Sequence, residues 1–167
     1  QRSLNLTPDA FFIATYAVPV SADLNIHDNS AAQFQGPDGS ALTTDHPVTK
    51  AAMLHLAEIA PASLSFRQLL DVGRQQVYGE TAATQETTHI VQDAQLLAAN
   101  ILKAYGYSSR LVELHVWQPH FVRDPGEKPM GSPVARRQVT QGSSKVTNLR
   151  HERVSLDGAS RFVLPLL

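Results

Sequence analysis

Apolar residues recur along this chain with two different periods, and the switches between them mark its elements. Residues 10–20, Ala-Phe-Phe-Ile-Ala-Thr-Tyr-Ala-Val-Pro-Val, are apolar and rich in strand formers, with Pro19 as a breaker. The stretch from Phe34 to Leu42 reads as a tight hairpin. Its Pro37-Asp38-Gly39 core supplies a preset φ, a side chain that bonds its own backbone, and a residue free to take positive φ. A period near 3.6 then sets in. Thr44 or Asp45 caps a first helix, Pro47 suits its first turn, and Ala51, Leu54, Leu56 and Ile59 form its apolar face up to Pro61. Ser65 and Gln68 make a capping-box pair ahead of Leu69, Leu70, Val72 and Val77 in a second helix. Gly73 weakens that helix by ~1 kcal/mol relative to Ala. After a polar loop at residues 79–87, a third helix runs from Thr88 to Tyr105. Val91, Ala94, Leu97, Ala98, Ile101, Leu102 and Tyr105 fall at its spacing, and Gly106 suits the position just past its end.

Beyond residue 106 the period returns to two. Arg110 to Trp117 alternates as a half-buried strand. Phe121 to Ser132 is rich in Pro, Gly and charge and reads as a loop. A short helix covers Ser132 to Gln141, with Ser132 as cap and Pro133 at its first position. Lys145 to Leu156 reads as one or two strands, and Asp157 opens a last helix. Three short helices followed by a strand is the plan of a winged helix. The expected fold is therefore α+β: an N-terminal β-element at residues 1–42, a winged-helix core at 43–120, and a small C-terminal helix–strand module at 121–167. The chain ends on Leu-Pro-Leu-Leu, an apolar run that reads as part of a longer protein.

Composition narrows the chemistry. The 167 residues are 43% hydrophobic and 17% charged, enough for a packed core. The absence of cysteine excludes disulfides, Cys-based zinc sites and a thiol nucleophile, with a mild lean toward the cytoplasm. No apolar stretch approaches the ~20 residues of a membrane helix. Charge is uneven: residues 1–100 carry four Lys/Arg against ten Asp/Glu, net −6, and residues 101–167 carry ten against five, net +5. The basic residues are scattered, so complementary fields between halves or toward a partner explain this better than a nucleic-acid patch. The third helix agrees. It offers Gln92, Gln95, Asn100 and Lys103 alongside Asp93, and Asp93 with nearby Glu86 repels phosphate.

No catalytic motif stands out. There is no Gly-rich phosphate loop, no dinucleotide turn, no nucleophile elbow and no His-Glu-x-x-His, so no catalytic, cofactor-binding or metal-ligating residue is assigned. His115 and His120 flank Trp117 but make a poor metal pair, lacking carboxylates to complete a site. Trp117 is expected at the edge of the core. The most polar cluster is Asn148, Arg150, His151 and Glu152. Strand alternation puts Asn148, Arg150 and Glu152 on one face, and Leu149 and His151 on the other. Two readings stay open. One is a solvent-facing strand with weak ion pairs; the other is a contact surface where Arg forks grip a carboxylate. Arg136 and Arg137 belong with either.

Several stretches resemble, in order, the C-terminal region of bacterial S-adenosylmethionine-dependent methyltransferases that carry a methyltransferase regulatory domain, a group that includes protein-lysine methyltransferases. They are Leu42-Thr43-Thr44-Asp45-His46-Pro47 with Lys50-Ala51-Ala52, Ala104-Tyr105, and Leu111 to Val116. Ser132 to Arg136, Val146 to Glu152, and Leu164 to Leu167 continue the series. The resemblance implies a non-catalytic accessory region, with S-adenosylmethionine held by a catalytic domain preceding Gln1. The implied partners are that domain, a protein substrate and a second copy of the chain. The interface candidates are Arg136, Arg137, Asn148, Arg150 and His151. A nucleic-acid-binding winged helix and a small-molecule-binding domain are the rival readings.

Overall fold

The computed structural model describes residues 10–83, 86–119, 126–127 and 129–167. It is α+β, and the chain divides into two compact units, residues 1–123 and 124–167. In the first unit, Phe12–Ala14 forms β1, Val18–Pro19 β2, Ala32–Gln35 β3 and Ala41–Thr44 β4. Helix α1 spans Pro47–Ile59, β5 is Leu64–Ser65, and α2 is Phe66–Tyr78. A 3-10 turn at Gly79–Ala83 replaces the start of the expected polar loop. Helix α3 then runs Thr87–Tyr107, followed by β6 at Glu113–His115.

The N-terminal β-element is divided between two sheets. Strands β2, β3 and β4 form an antiparallel meander whose hairpin pairs Gln35 with Ala41. Gly39 takes φ 81 in the turn, as the Pro-Asp-Gly pattern demands. Pro19 sits on the edge strand, where a missing N–H breaks no ladder. Strand β1 instead lies between β5 and β6, pairing Ile13 with Leu64 on one side and Leu114 on the other. The helix–strand–helix–helix–strand order α1–β5–α2–α3–β6 thus has its sheet completed from the N-terminal side. Thr15, just past β1, donates to the Leu111 carbonyl at 2.5 Å and accepts from the Ala17 N–H, so this buried hydroxyl is satisfied.

The core of this unit gathers Ile13, Phe34, Leu42, Val48, Met53, Leu56, Leu69, Leu97, Ile101 and Leu111. The capping box at Ser65 and Gln68 forms as the sequence predicts, with both reciprocal bonds present. The start of α1 differs. Its N-cap is His46, and Thr44, two residues earlier, accepts from the His46 N–H instead of capping the helix. Gly106 lies inside α3, whose C-cap is Ser108, because the Ser108 N–H still reaches the Ala104 carbonyl. The strand expected from Arg110 to Trp117 shortens to β6, since only Glu113–His115 has β1 opposite it.

Gly73 is a packing residue. A Cβ there would meet the Val48 carbonyl oxygen at 2.8 Å and Val48 Cγ1 at 3.2 Å, so it allows α2 to approach α1 at backbone distance. Gly73→Ala should therefore destabilise by about 1–3 kcal/mol, although alanine is the better helix former. Urea denaturation of the two proteins decides this, and a stabilised variant would refute the close-packing account.

The second unit has its own small core. Helix α4 is Pro133–Thr140, strands β7 and β8 are Lys145–Thr147 and Arg153–Ser155, and α5 is Gly158–Val163, continuing as a 3-10 turn over Leu164–Leu166. Ser132 and Asp157 cap their helices as expected. Ala135, Val139 and Val146 are buried together, with Leu156 and Leu164 packed against them.

Candidate functional site

The interface candidates all lie in the second unit, and the structure divides them by role. Strands β7 and β8 pair Lys145 with Ser155 and Thr147 with Arg153, forming a wing. Residues 148–152 are the turn at its tip, not strand. The expected alternation of Asn148, Arg150 and Glu152 on one strand face is therefore replaced by turn geometry. Asn148 builds that turn. Its Oδ1 accepts from the N–H groups of Arg150 and Glu152 at 2.8 and 2.9 Å, and its Nδ2 donates to the Glu152 carboxylate at 3.0 Å. The Asn148 N–H in turn donates to the Glu152 carbonyl. His151 occupies φ 61 at the exposed tip, a left-handed conformation that the surrounding bonds hold in place.

Arg150 is half-buried beside this turn. Burial pulls its guanidinium below the ordinary value, and the Glu152 carboxylate opposes that pull. Arg136 and Arg137 lie on α4. The adjacent Gln138 ties that helix to the wing, accepting from the Thr147 N–H at 2.7 Å and donating to Thr147 Oγ1 at 3.2 Å. Arg150 and His151 thus share the wing tip, and Arg136 and Arg137 sit on the helix bonded to the base of that wing. Asn148 is turn architecture. Residues 124–167 carry seven Lys/Arg against four Asp/Glu, net +3. That field favours acidic surfaces.

The first unit holds a polar centre that the sequence pattern did not reveal. Asp93 is buried on α3, where Arg74 of α2 donates to Oδ2. His46 lies 3.3 Å and Tyr78 3.4 Å from its Oδ1. Arg74 also donates to the Ala82 carbonyl at 3.1 Å and stacks 5.2 Å from the Tyr78 ring centre. Burial and the Asp93 charge raise the Tyr78 pKa. Thr49 accepts from Asn100 at 3.4 Å and its Oγ1 lies 2.9 Å from His46 Nδ1, while the Asp93 carboxylate, an acceptor, takes its bond from His46 Nε2–H. Asp93, His46 and Thr49 connect in the order of a hydrolase relay, but Thr49 is 0% exposed. A nucleophile must reach its substrate, which Thr49 does not, and the network fastens three helices together. Asp93 is therefore not the exposed, phosphate-repelling anion that the sequence reading supposed.

A second buried cation is Lys50, also 0% exposed. Its ammonium donates to the carbonyls of Asn25, Asp28 and Ser30 at 2.7, 2.7 and 3.1 Å, and to the Asp28 carboxylate at 3.1 Å. It closes the loop between β2 and β3 around itself. Among the described residues no cluster of three His, Asp or Glu side chains could hold a metal ion. His120 lies outside the described residues. His115 donates to Glu113 at 3.1 Å and meets Trp117 edge-on. Trp117 is 56% exposed, more open than a core-edge residue.

Residues 127–167 match the PKMT C-terminal winged helix domain. This PKMT stretch contains α4, the wing and α5. The match falls where the sequence pattern indicated a C-terminal helix–strand module; the pattern placed a winged helix at 43–120. Two solved structures of PKMT2 from Rickettsia typhi, one in complex with AdoHcy, share the fold. Each has a TM-score of 0.68 and covers 96% of this chain, at 14% and 16% identity. The chain spans about a third of their length, 32% and 31%. No curated protein matches the chain. The resemblance to protein-lysine methyltransferases is thus met by the PKMT match in the second unit and by fold along nearly the whole chain.

Proposed function

We propose that this chain is a non-catalytic, accessory region of an S-adenosylmethionine-dependent protein-lysine methyltransferase. Its role is to position the protein substrate and to contact the catalytic domain through Arg136, Arg137, Arg150 and His151. The observation that carries the reading is the fold shared, along 96% of this chain, with about a third of PKMT2. The chemistry of the chain agrees. A small, open apolar groove in the first unit is lined by Phe11, Ile13, Phe66, Ala98, Ile101, Leu102 and Leu114. Those side chains offer nothing to the carboxylate, ammonium or ribose hydroxyls of S-adenosylmethionine, so we assign the cofactor to a separate catalytic domain. When bound there, the cofactor supplies the methyl group. The residues of this chain hold the acceptor protein in place.

A wing whose tip carries half-buried Arg150 suits a carboxylate on a partner, because a guanidinium fork grips it through two parallel bonds. No helix among the described residues is long and apolar enough to cross a membrane. We assign the cytoplasm as the working compartment. Methyl transfer by the longer enzyme containing this chain tests the reading. Arg136→Ala combined with Arg150→Ala should lower kcat/KM for the protein substrate about tenfold or more through KM, with cofactor affinity unchanged. Unaltered kcat/KM, or an equal loss with a free lysine analogue as acceptor, would count against substrate docking by this unit.

A further inference from the structure

Trp117 is the only tryptophan in the chain, and more than half of it is open to water. Exposed indoles concentrate at interfaces, where their large faces find a partner. The surroundings of this one say what kind of partner it suits. Trp117 lies in the bend that follows β6, and the next residue, Gln118, donates its amide to the Ser63 carbonyl at 3.4 Å, tying the bend to the chain just before β5. The His115 ring stands 6.0 Å from the indole with its plane turned by 61°, so two aromatic walls meet at a wide corner. On the His115 side of that corner, the Glu113 carboxylate lies 3.1 Å from Nε2. The Glu113 and His115 side chains are only 18% and 19% exposed, so packing holds one wall and the carboxylate in place before any ligand arrives.

An electron-rich ring face with a carboxylate close by is a site for a cation. Its apolar walls select a cation that is large and weakly hydrated. A bare lysine ammonium is compact and keeps its water, whereas methyl groups on the nitrogen spread the charge and loosen that shell. The wider field agrees, since residues 1–123 carry seven Lys/Arg against eleven Asp/Glu, net −4. We propose that Trp117, His115 and Glu113 bind the side chain of an N-methylated lysine, the product class of the reaction proposed above, on which this assignment rests. The indole face takes the methylammonium head, the His115 ring bounds it, and Glu113 supplies the compensating charge. An acceptor protein is then retained after its first lysine is modified, while a second lysine reaches the catalytic domain.

The lone tryptophan reports on this site directly. Titrating the whole chain with acetyl-trimethyllysine amide should change its emission to saturation in roughly the millimolar range, the affinity of a small open site. Unmethylated acetyl-lysine amide should bind about tenfold more weakly, and so should the neutral analogue in which carbon replaces the quaternary nitrogen. Glu113→Gln keeps a carbonyl acceptor for His115 but removes the charge. It should weaken the methylated ligand about threefold to tenfold and leave the neutral one unchanged, which also shows that the variant is folded. Equal binding of the charged and neutral ligands overturns the proposal, since an apolar contact alone explains it. So does an emission that none of the ligands moves, or tighter binding of acetyl-arginine amide, which assigns the site to a guanidinium. The titration involves no methyl transfer, so its failure leaves the enzyme reading standing, and failure of the transfer assay leaves the binding result standing.

Discussion

Arg74→Ala should lower the stability of the first unit by about 3–5 kcal/mol, the loss expected when one member of a buried ion pair is removed. Arg74 is 4% exposed, and its guanidinium meets the Asp93 carboxylate, the Ala82 carbonyl and the Tyr78 ring together. Without it, Asp93 keeps only the hydrogen bonds from His46 and Tyr78, both longer than 3.2 Å, and a buried carboxylate is left without its cation. The melting temperature should drop by roughly 10–20 °C. Arg74→Met with Asp93→Leu should recover most of that loss, since an apolar pair of similar volume removes both desolvation terms. The pair of measurements distinguishes an unpaired charge from a packing defect. If the double variant is as unstable as Arg74→Ala alone, side-chain volume is the cause and the ion-pair account fails. Asp93 is also the sole buried residue in the first ten positions of α3, so amide exchange should accelerate first in that half of the helix.

Lys50→Met should have the next largest effect. Methionine keeps an unbranched apolar stem in a space with no exposure but leaves three carbonyls and a carboxylate without their shared donor. Unmet buried acceptors cost about 1–3 kcal/mol each when they cannot rehydrate. The loop can open partway to water, so the expected total is about 2–4 kcal/mol, with loss of amide protection around residues 25–30. The same loop sets an acid limit. Ser30 donates its hydroxyl and N–H to Asp28, Lys50 adds its ammonium, and together they bring the Asp28 pKa from 3.8 to about 2. A carboxylate depressed in the folded state stabilises above its unfolded value and loses that contribution as pH falls through the folded one. The Asp28 contribution is therefore complete above about pH 4 and disappears toward pH 2. Protection of residues 25–30 should fade over that window in the wild type. In Lys50→Met it should already be weak at pH 7. Equal protection in the two proteins at pH 7 would show that Lys50 does not organise the loop.

Local signals carried much of the fold. Ser65 with Gln68, Pro37-Asp38-Gly39, Ser132-Pro133 and Asp157 each bond within four residues, so a linear reading finds them without knowing the rest of the molecule. The misread parts depend on distant partners. Helix α3 was expected to bury Val91 and Tyr105, yet both are about half exposed. The buried stripe is Asp93, Leu97, Ile101 and Ala104, which also has helical spacing. An aspartate in phase with three core residues was the available signal for the Arg74 network. It could be read only by giving periodicity precedence over polarity. Lys50, with Val48, Thr49, Ala51 and Ala52 around it, carried a similar signal. In the second unit, Arg150 and His151 were legible as a polar cluster. Their place on a turn was not, because Asn148 supports β-alternation by position and a turn by its side chain, and the Glu152 bonds decide between them.

The central position of β1 also has a consequence for biosynthesis. Ile13 pairs with Leu64 and with Leu114, residues made about 50 and 100 positions later. Such distant pairings make folding slow, because a long loop must close before any contact compensates for it. On a ribosome β1 emerges before both its partners and cannot complete its sheet until Glu113–His115 has cleared the exit tunnel. Throughout that interval Phe12 and Ile13 are open to other chains and to chaperones. A translational pause once β6 has left the tunnel would give this strand time to find both neighbours before the second unit emerges.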